Sequence, residues 1–330
     1  MNVKLKNLSI KGVLTVVPKN KLVLQTLSDK FGFNEIKRIM MSTGIESVGI
    51  ALPDQKASDF CLYAAQHLME QLSILSKSVD AIIFVSQTPD YKMPATSCVL
   101  QGKLKLPKTV LAFDINYGCS GYIYGLYQAS LLVNSGSCER VLVCVGDTIS
   151  HHLSPDDQKT RLVFGDGGAA TIVERGEHDI AFNIMTDGTG FQHLMVDKTK
   201  EGSDADLCMN GSEIMEFALR EVPLSIDAVL SQMDWRKEDV GIFALHQANQ
   251  FMLDYLRKKL NLKREQVPIA VKCYGNTGSA SIPLVLCHHC KDFTAESRAK
   301  VILSGFGAGL SWGSVATNLS QTTIMDVMEI

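Results

Sequence analysis

Two hydrophobic periods alternate along the chain. Short runs in which almost every residue is apolar, Ala81 to Val85 and Val141 to Val145, are bounded by polar residues and read as strands buried on both faces. Longer stretches with apolar residues at helical spacing, Ser58 to Leu72 and Ser120 to Val133, lie between them and read as helices. Val110 to Ile115, Ile242 to Leu245 and Val301 to Gly305 add further strands, and a helix running through Phe251, Leu253, Leu256 and Leu260 follows the second of these. Strand and helix in turn predict an α/β architecture.

The pattern also repeats. Val79 to Gln87 echoes Asp239 to Gln247, which sets Ser86 opposite His246. Downstream of each comes a Gly-flanked turn that opens a helix, Tyr117-Gly118-Cys119-Ser120-Gly121 in one case and Tyr274-Gly275-Asn276-Thr277-Gly278 in the other. Each helix is followed by a strand ending in Gly. This order predicts a duplication, with an N-terminal half over 1–175 that carries Cys119 and a C-terminal half over 176–330 that carries His246 and Asn276. Incidental likeness between two α/β segments is the plainer alternative.

Composition narrows the class. A chain of 330 residues is long enough for two domains. With 46% hydrophobic and 20% charged residues it is neither disordered nor fibrous. The near balance of 32 basic and 35 acidic residues gives no reason to expect nucleic acid or a membrane surface as partner. The nine cysteines are odd in number and scattered, several inside strand-like runs, which is usage for a reducing compartment. The N-terminal apolar stretch is broken by Lys11, and no run approaches the length of a membrane span. The expectation is a soluble, cytoplasmic protein with no membrane span.

Cys119 lies between glycines at a strand-to-helix turn, where free N–H groups and the helix dipole favour a thiolate. The glycines also leave room for a substrate to approach. His246 ends an apolar strand and faces a rim; Asn276 occupies the turn that matches Cys119 in the repeat. The three form a Cys/His/Asn set at strand ends, where α/β sheets present ligands. Gly305 to Gly313 holds four glycines in nine residues, and its N–H groups are placed to bind a developing oxyanion, a tight hairpin being the simpler reading. Cys287-His288-His289-Cys290 has zinc-like residue types but continues an apolar helix without a second ligand pair, so no metal is expected. Phe164 to Ala169 is glycine-dense yet matches no nucleotide fingerprint. Arg257, Lys258, Lys259, Lys263 and Arg264 form either a solvated face or a landing patch for an acidic partner.

Taken together, these residues resemble the β-ketoacyl-acyl-carrier-protein synthase III family of thiolase-fold condensing enzymes. The likeness runs nearly end to end, through Thr43-Gly44-Ile45, Thr88-Pro89-Asp90-Tyr91, Phe113-Asp114-Ile115, Cys119-Ser120-Gly121, Phe164-Gly165-Asp166-Gly167, Met209-Asn210-Gly211, His246-Gln247-Ala248-Asn249, Gly275 to Ser281 and Gly305 to Gly309. The resemblance implies an α/β, thiolase-like five-layer αβαβα fold made of two duplicated halves, and a homodimer. It also implies that Cys119 is acylated by an acyl thioester on CoA or acyl carrier protein, then condensed with malonyl-acyl carrier protein by decarboxylative Claisen chemistry. His246 and Asn276 would donate to the enolate. The N–H groups of Cys119 and Ala308 would hold the tetrahedral oxyanion, Asn249 and Gly211 the pantetheine arm, and Met93, contributed across the dimer, would shape the acyl pocket. Lys258 and Lys259 would dock the carrier protein, and no cofactor is implied.

The departures are informative. Where the family recognises a CoA primer with a Trp and nearby arginines, the matching positions hold Arg38, Ser42 and Gln158. Phe251 and Glu216 replace basic docking residues, and Tyr117-Gly118 replaces Ala-Ala before the cysteine. These changes imply a specialised relative with altered donor or partner choice. Three other readings compete: an acyltransferase of the same fold that uses a hydroxyl or amine acceptor without decarboxylation, with His246 as base; a silent partner subunit, which would have lost the nucleophile or its partners; and a papain-like protease, whose local cysteine motif is absent.

Overall fold

The computed structural model describes residues 1–154, 156–158, 160–196, 207–289, 297 and 299–330. Nine strands build the frame: β1 (Asn2–Val17), β2 (Ala81–Val85), β3 (Leu111–Ile115), β4 (Arg140–Asp147), β5 (Gly167–Arg175), β6 (His178–Thr186), β7 (Ile242–Leu245), β8 (Val301–Gly307) and β9 (Ser311–Thr317). They are ordered β3-β2-β4-β5-β1 and then β6-β9-β8-β7. The long β1 joins the two sets: Asn2 to Leu5 pair with β6, whereas Leu8 to Val16 pair with β5. Two short C-terminal strands, Thr323–Ile324 and Met328–Glu329, run parallel to β1.

The duplication is visible in the pairing. In the first set β2 runs parallel to β4, β4 antiparallel to β5, and β5 antiparallel to β1. In the second β7 runs parallel to β8, β8 antiparallel to β9, and β9 antiparallel to β6. Only β3 lacks a strand counterpart among the described residues.

Alternation along these strands then makes the layers. Ala81, Ile83 and Val85 of β2 face one core, while Ile82 and Phe84 face another. The central core is filled by α4 (Gly121–Asn134) and α7 (Ser281–His288), packed between the two sets of strands. Outside the first set lie α2 (Ala57–Gln71) and α3 (Thr96–Lys103); outside the second lie α5 (Gly211–Met233) and α6 (Gln250–Lys259). A further helix, α1 (Phe33–Thr43), packs on α6. The result is the expected αβαβα order. Strands covered on both faces need apolar residues at every position, which is why the chain shows continuous runs in place of a polar–apolar alternation. Among the described residues no helix is long and apolar enough to cross a membrane.

Candidate active site

The layering brings the C-terminal ends of β3, β7 and β8 to one place. Cys119 sits on the turn between β3 and α4, His246 directly follows β7, Asn276 lies on the turn before α7, and Ala308 follows β8. Cys119, His246 and Asn276 line one cavity of about 690 Å³. A second cavity of about 270 Å³ continues beyond the cysteine and is lined by Gln87, Thr88, Asn116, Asp147, Ile149 and Ala308 among others. Cys119 belongs to both walls, so it stands where the two spaces meet.

Backbone contacts hold each group. The His246 N–H donates to the Ser304 carbonyl of β8 at 2.8 Å, and its ring packs edge-on against Phe306. The Asn276 main chain is clamped by the glycine-dense segment, its N–H donating to Val163 O at 2.9 Å and its carbonyl accepting from Gly165 N–H at 3.0 Å. A Cβ on Gly165 would lie 2.1 Å from the Tyr274 carbonyl, so the glycine there serves this close approach. Asn276 Oδ1 accepts from Gly278 N–H at 3.0 Å, which leaves its amide nitrogen for the cavity. The glycines of β8 have a related purpose. A Cβ on Gly305 would meet the Cys119 carbonyl at 3.0 Å, and one on Gly307 would meet Cys119 Cβ at 2.7 Å. The Ala308 turn is tied to the nucleophile's turn through Ser311, whose hydroxyl donates to Ala308 O at 2.6 Å and lies 2.7 Å from Ser120 Oγ.

The electrostatics correct one expectation. The helix terminus was expected to favour a Cys119 thiolate, yet burial pushes the thiol up to about 12, and the Asp147 carboxylate pushes the same way. The Asn276 side chain acts in the opposite direction, with smaller effect. The physical reason is position: α4 begins at Gly121, two residues on, and the half-buried cysteine shares the smaller cavity with the buried acid Asp147. Burial likewise holds His246 down, to about 3, so the imidazole is neutral at any ordinary pH. Its Nδ1 lies 2.7 Å from Ser281 Oγ.

The sequence and the fold match known proteins. The chain fits the family model for 3-oxoacyl-(acyl-carrier-protein) synthase III over residues 113–188 and that for the C-terminal part of the same synthase over 230–319. It is 32% identical to a β-ketoacyl-(acyl-carrier-protein) synthase III of Clostridium perfringens over 327 residues, 96% of this chain and all of the relative. The chain belongs to the synthase III family. Its structure overlays a 3-oxoacyl-(acyl-carrier-protein) synthase of Burkholderia xenovorans with a TM-score of 0.96, at 36% identity, covering 100% of this chain and 99% of that one. OleA of Xanthomonas campestris, at 19% identity and a TM-score of 0.82, shares the fold alone. The protein is therefore a condensing acyltransferase of the synthase III type.

Within this synthase the other anticipated positions divide. Asn249 and Gly211 line the larger cavity, Asn249 capping α6 through its Oδ1 and Gly211 opening α5. Arg38, Ser42 and Gln158 line it too, joined by Glu35, Asp156 and Asp157. The Arg38 guanidinium is occupied by Glu35, with contacts of 2.6 and 3.0 Å. Phe251 stands 51% exposed beside the cavity mouth, lining a surface groove with Phe33 and Met41. Met93 is 85% exposed and lines neither cavity of its own chain. Lys258 and Lys259 are exposed in the last turn of α6, roughly 14 Å of helix from Asn249. Glu216 pairs with Arg220. Among the described residues no group of acidic, His and Cys side chains is placed to hold a metal; Cys290 lies outside them, and Cys287 is buried in α7.

Sequence reasoning missed Asp147, Gln87, Asn116 and Ser281. Asp147 accepts from Gln87 N–H at 2.8 Å and from the Ser279 hydroxyl at 2.8 Å, so it knits the two halves beneath the cysteine. An acid closing an otherwise apolar strand was the signal available.

Proposed function

We propose that Cys119 is the nucleophile that carries the acyl chain through the condensation. A primer thioester enters, the Cys119 sulfur bonds to the acyl carbon, and the thiol proton leaves with the departing pantetheine sulfur. Malonyl-acyl carrier protein follows. Its carboxylate breaks away as carbon dioxide, the electron pair of that bond becomes an enolate, and the enolate carbon attacks the acyl-enzyme to expel the Cys119 sulfur and leave a β-ketoacyl thioester.

The observation that carries this reading is the meeting of Cys119, a neutral His246 and the Asn276 side-chain amide on one cavity. Neutral N–H donors stabilise an enolate without a proton being transferred. In this reading the Ser281 hydroxyl, 2.7 Å from His246 Nδ1, is the donor of that pair, and the ring proton sits on Nε2, facing the enolate. A thiol near 12 is protonated at rest, so its proton moves as the thioester arrives. The N–H groups of Cys119 and Ala308 receive the oxyanion, and Asn249 and Gly211 hold the pantetheine arm.

The functional unit in this proposal is a homodimer in the cytoplasm. Strand β3 ends the sheet, Leu111 on it is 47% exposed, and Met93 and Tyr91 stand exposed nearby. An open apolar edge of this kind is a template for a second copy, and Met93 would then complete the acyl cavity of the partner. Lys258 and Lys259 meet the acidic carrier protein. The halves divide at 175/176, between β5 and β6.

Intact mass of the protein after exposure to acyl-CoAs and acyl-carrier-protein thioesters tests the reading. An acyl mass gained by the native chain and lost in Cys119→Ser is expected. A gain that survives in Cys119→Ser would overturn it.

A further inference from the structure

Asp147 closes β4 with hydrogen-bond donors on both of its oxygens. Oδ1 accepts from Gln87 N–H at 2.8 Å and from the hydroxyls of Ser86 at 3.1 Å and Thr88 at 3.5 Å, all in the first half. Oδ2 accepts from the Ser279 hydroxyl at 2.8 Å and the Ser279 N–H at 3.3 Å, in the second half. Asp147 and Ser279 are 4% and 1% exposed within one chain, so this knot owes nothing to a partner copy. A carboxylate accepts on both oxygens at once, which an amide of the same shape cannot do. The fold itself does not call for an acid here. By the matching registers of β2 with β4 and of β7 with β8, the second half has Phe306 where the first has Asp147. Burial raises the Asp147 pKa, so the charge is held at a cost in stability.

What the acid reaches is the Asn276 turn. Gly278, left-handed at φ +56°, stands between Asn276 and Ser279 and donates its N–H to Asn276 Oδ1 at 3.0 Å. A Cβ on Gly278 would lie 2.8 Å from Asp147 Oδ2, so the carboxylate packs directly on the residue that orients the amide. Resting on the enolate role of Asn276 given above, we propose that Asp147 is a positioning residue for decarboxylation: by anchoring Ser279 it fixes Gly278, and through Gly278 it holds the Asn276 amide toward the enolate. Asp147 itself makes and breaks no bond of the substrate. A second effect of the same charge separates this role from a plain staple between the halves. The Asp147 carboxylate opposes loss of the Cys119 proton, so its removal eases acylation while it loosens the donor to the enolate.

The test measures the two half-reactions separately in Asp147→Asn and Ser279→Ala. Mass gain at Cys119 reads acylation, and carbon dioxide release from malonyl-acyl carrier protein reads decarboxylation. In Asp147→Asn the kcat of release is expected to fall by roughly 10- to 100-fold, as for a donor displaced by a fraction of an ångström to 1 Å, with KM for malonyl-acyl carrier protein unchanged. Acylation should run at the native rate or faster. Ser279→Ala removes one donor to Oδ2 and should lower release by about tenfold with acylation at the native rate. Native release in either variant overturns the proposal, and so does a parallel loss of acylation and release in a folded variant, which is the mark of a staple. Where Asp147→Asn does not fold, Ser279→Ala alone decides. A native protein that acylates Cys119 and releases carbon dioxide keeps the synthase reading whatever the variants do. A native protein that does neither removes both.

Discussion

Gly307→Ala is a sharp test of how the nucleophile is held. Gly307 is the last residue of β8, paired with Ser311, and its missing side chain faces Cys119. An added Cβ would lie 2.7 Å from Cys119 Cβ and 3.3 Å from its sulfur. Ordinary contact begins at 3.4 Å, so the shortfall at the nearest atom is 0.7 Å. The neighbour is not the loose end of a long side chain but the Cβ of a residue on a turn whose backbone also meets Gly305. The cysteine is therefore expected to move by a good part of that distance. Overpacking of this kind costs about 1–3 kcal/mol of stability, which a fold of this size tolerates. Misplacement by about 1 Å costs up to roughly 100-fold in rate, so acylation of Cys119 should fall by roughly 10- to 100-fold. Single-turnover mass gain at Cys119 reads this directly. Carbon dioxide release from malonyl-acyl carrier protein, which depends on His246 and Asn276, should fall much less. A variant that folds and acylates at the native rate would refute the contact as the determinant of nucleophile position.

Other outcomes follow from the same geometry. His246→Ala and Asn276→Ala should each lower carbon dioxide release by roughly 100- to 1000-fold; release equal to that of the native protein would remove them from the site. Ser281→Ala deprives His246 Nδ1 of its 2.7 Å partner and should slow release by about tenfold, with Cys119 acylation preserved. Because the folded pKa of His246 is about 3, below its usual 6.5, the unfolded chain binds the extra proton between these values. Its contribution to stability is thus complete above about pH 6.5 and is lost as pH falls toward 3, with a slope of about 1.4 kcal/mol per pH unit. Asp147 is raised by burial and opposes this slope above its ordinary 3.8, so urea titrations of the native protein and His246→Asn across pH 4 to 7 should differ by the histidine's share. Parallel curves would show that the ring is not held neutral by the fold.

Much of the architecture was legible before any coordinates. Apolar runs such as Ala81 to Val85 and Val141 to Val145 emerge as strands because a strand covered on both faces has no position that tolerates water. The echo between the segments ending in Ser86 and His246 becomes the shared pairing of β2 with β4 and of β7 with β8. Cys119, His246 and Asn276 could be picked out because each ends a strand or occupies a Gly-flanked turn, and such turns leave local marks in the chain.

The tertiary structure decided what local pattern cannot carry. A thiol beside a helix start looks activated in sequence; only packing revealed the dehydration and the Asp147 carboxylate that hold it neutral. The exposure of Met93 and the knot that Asp147 makes with Gln87 and Ser279 likewise depend on residues distant along the chain. Secondary structure and turns arise from interactions between residues close in sequence, whereas solvation, electric field and the room left by a glycine sum over everything the fold brings near.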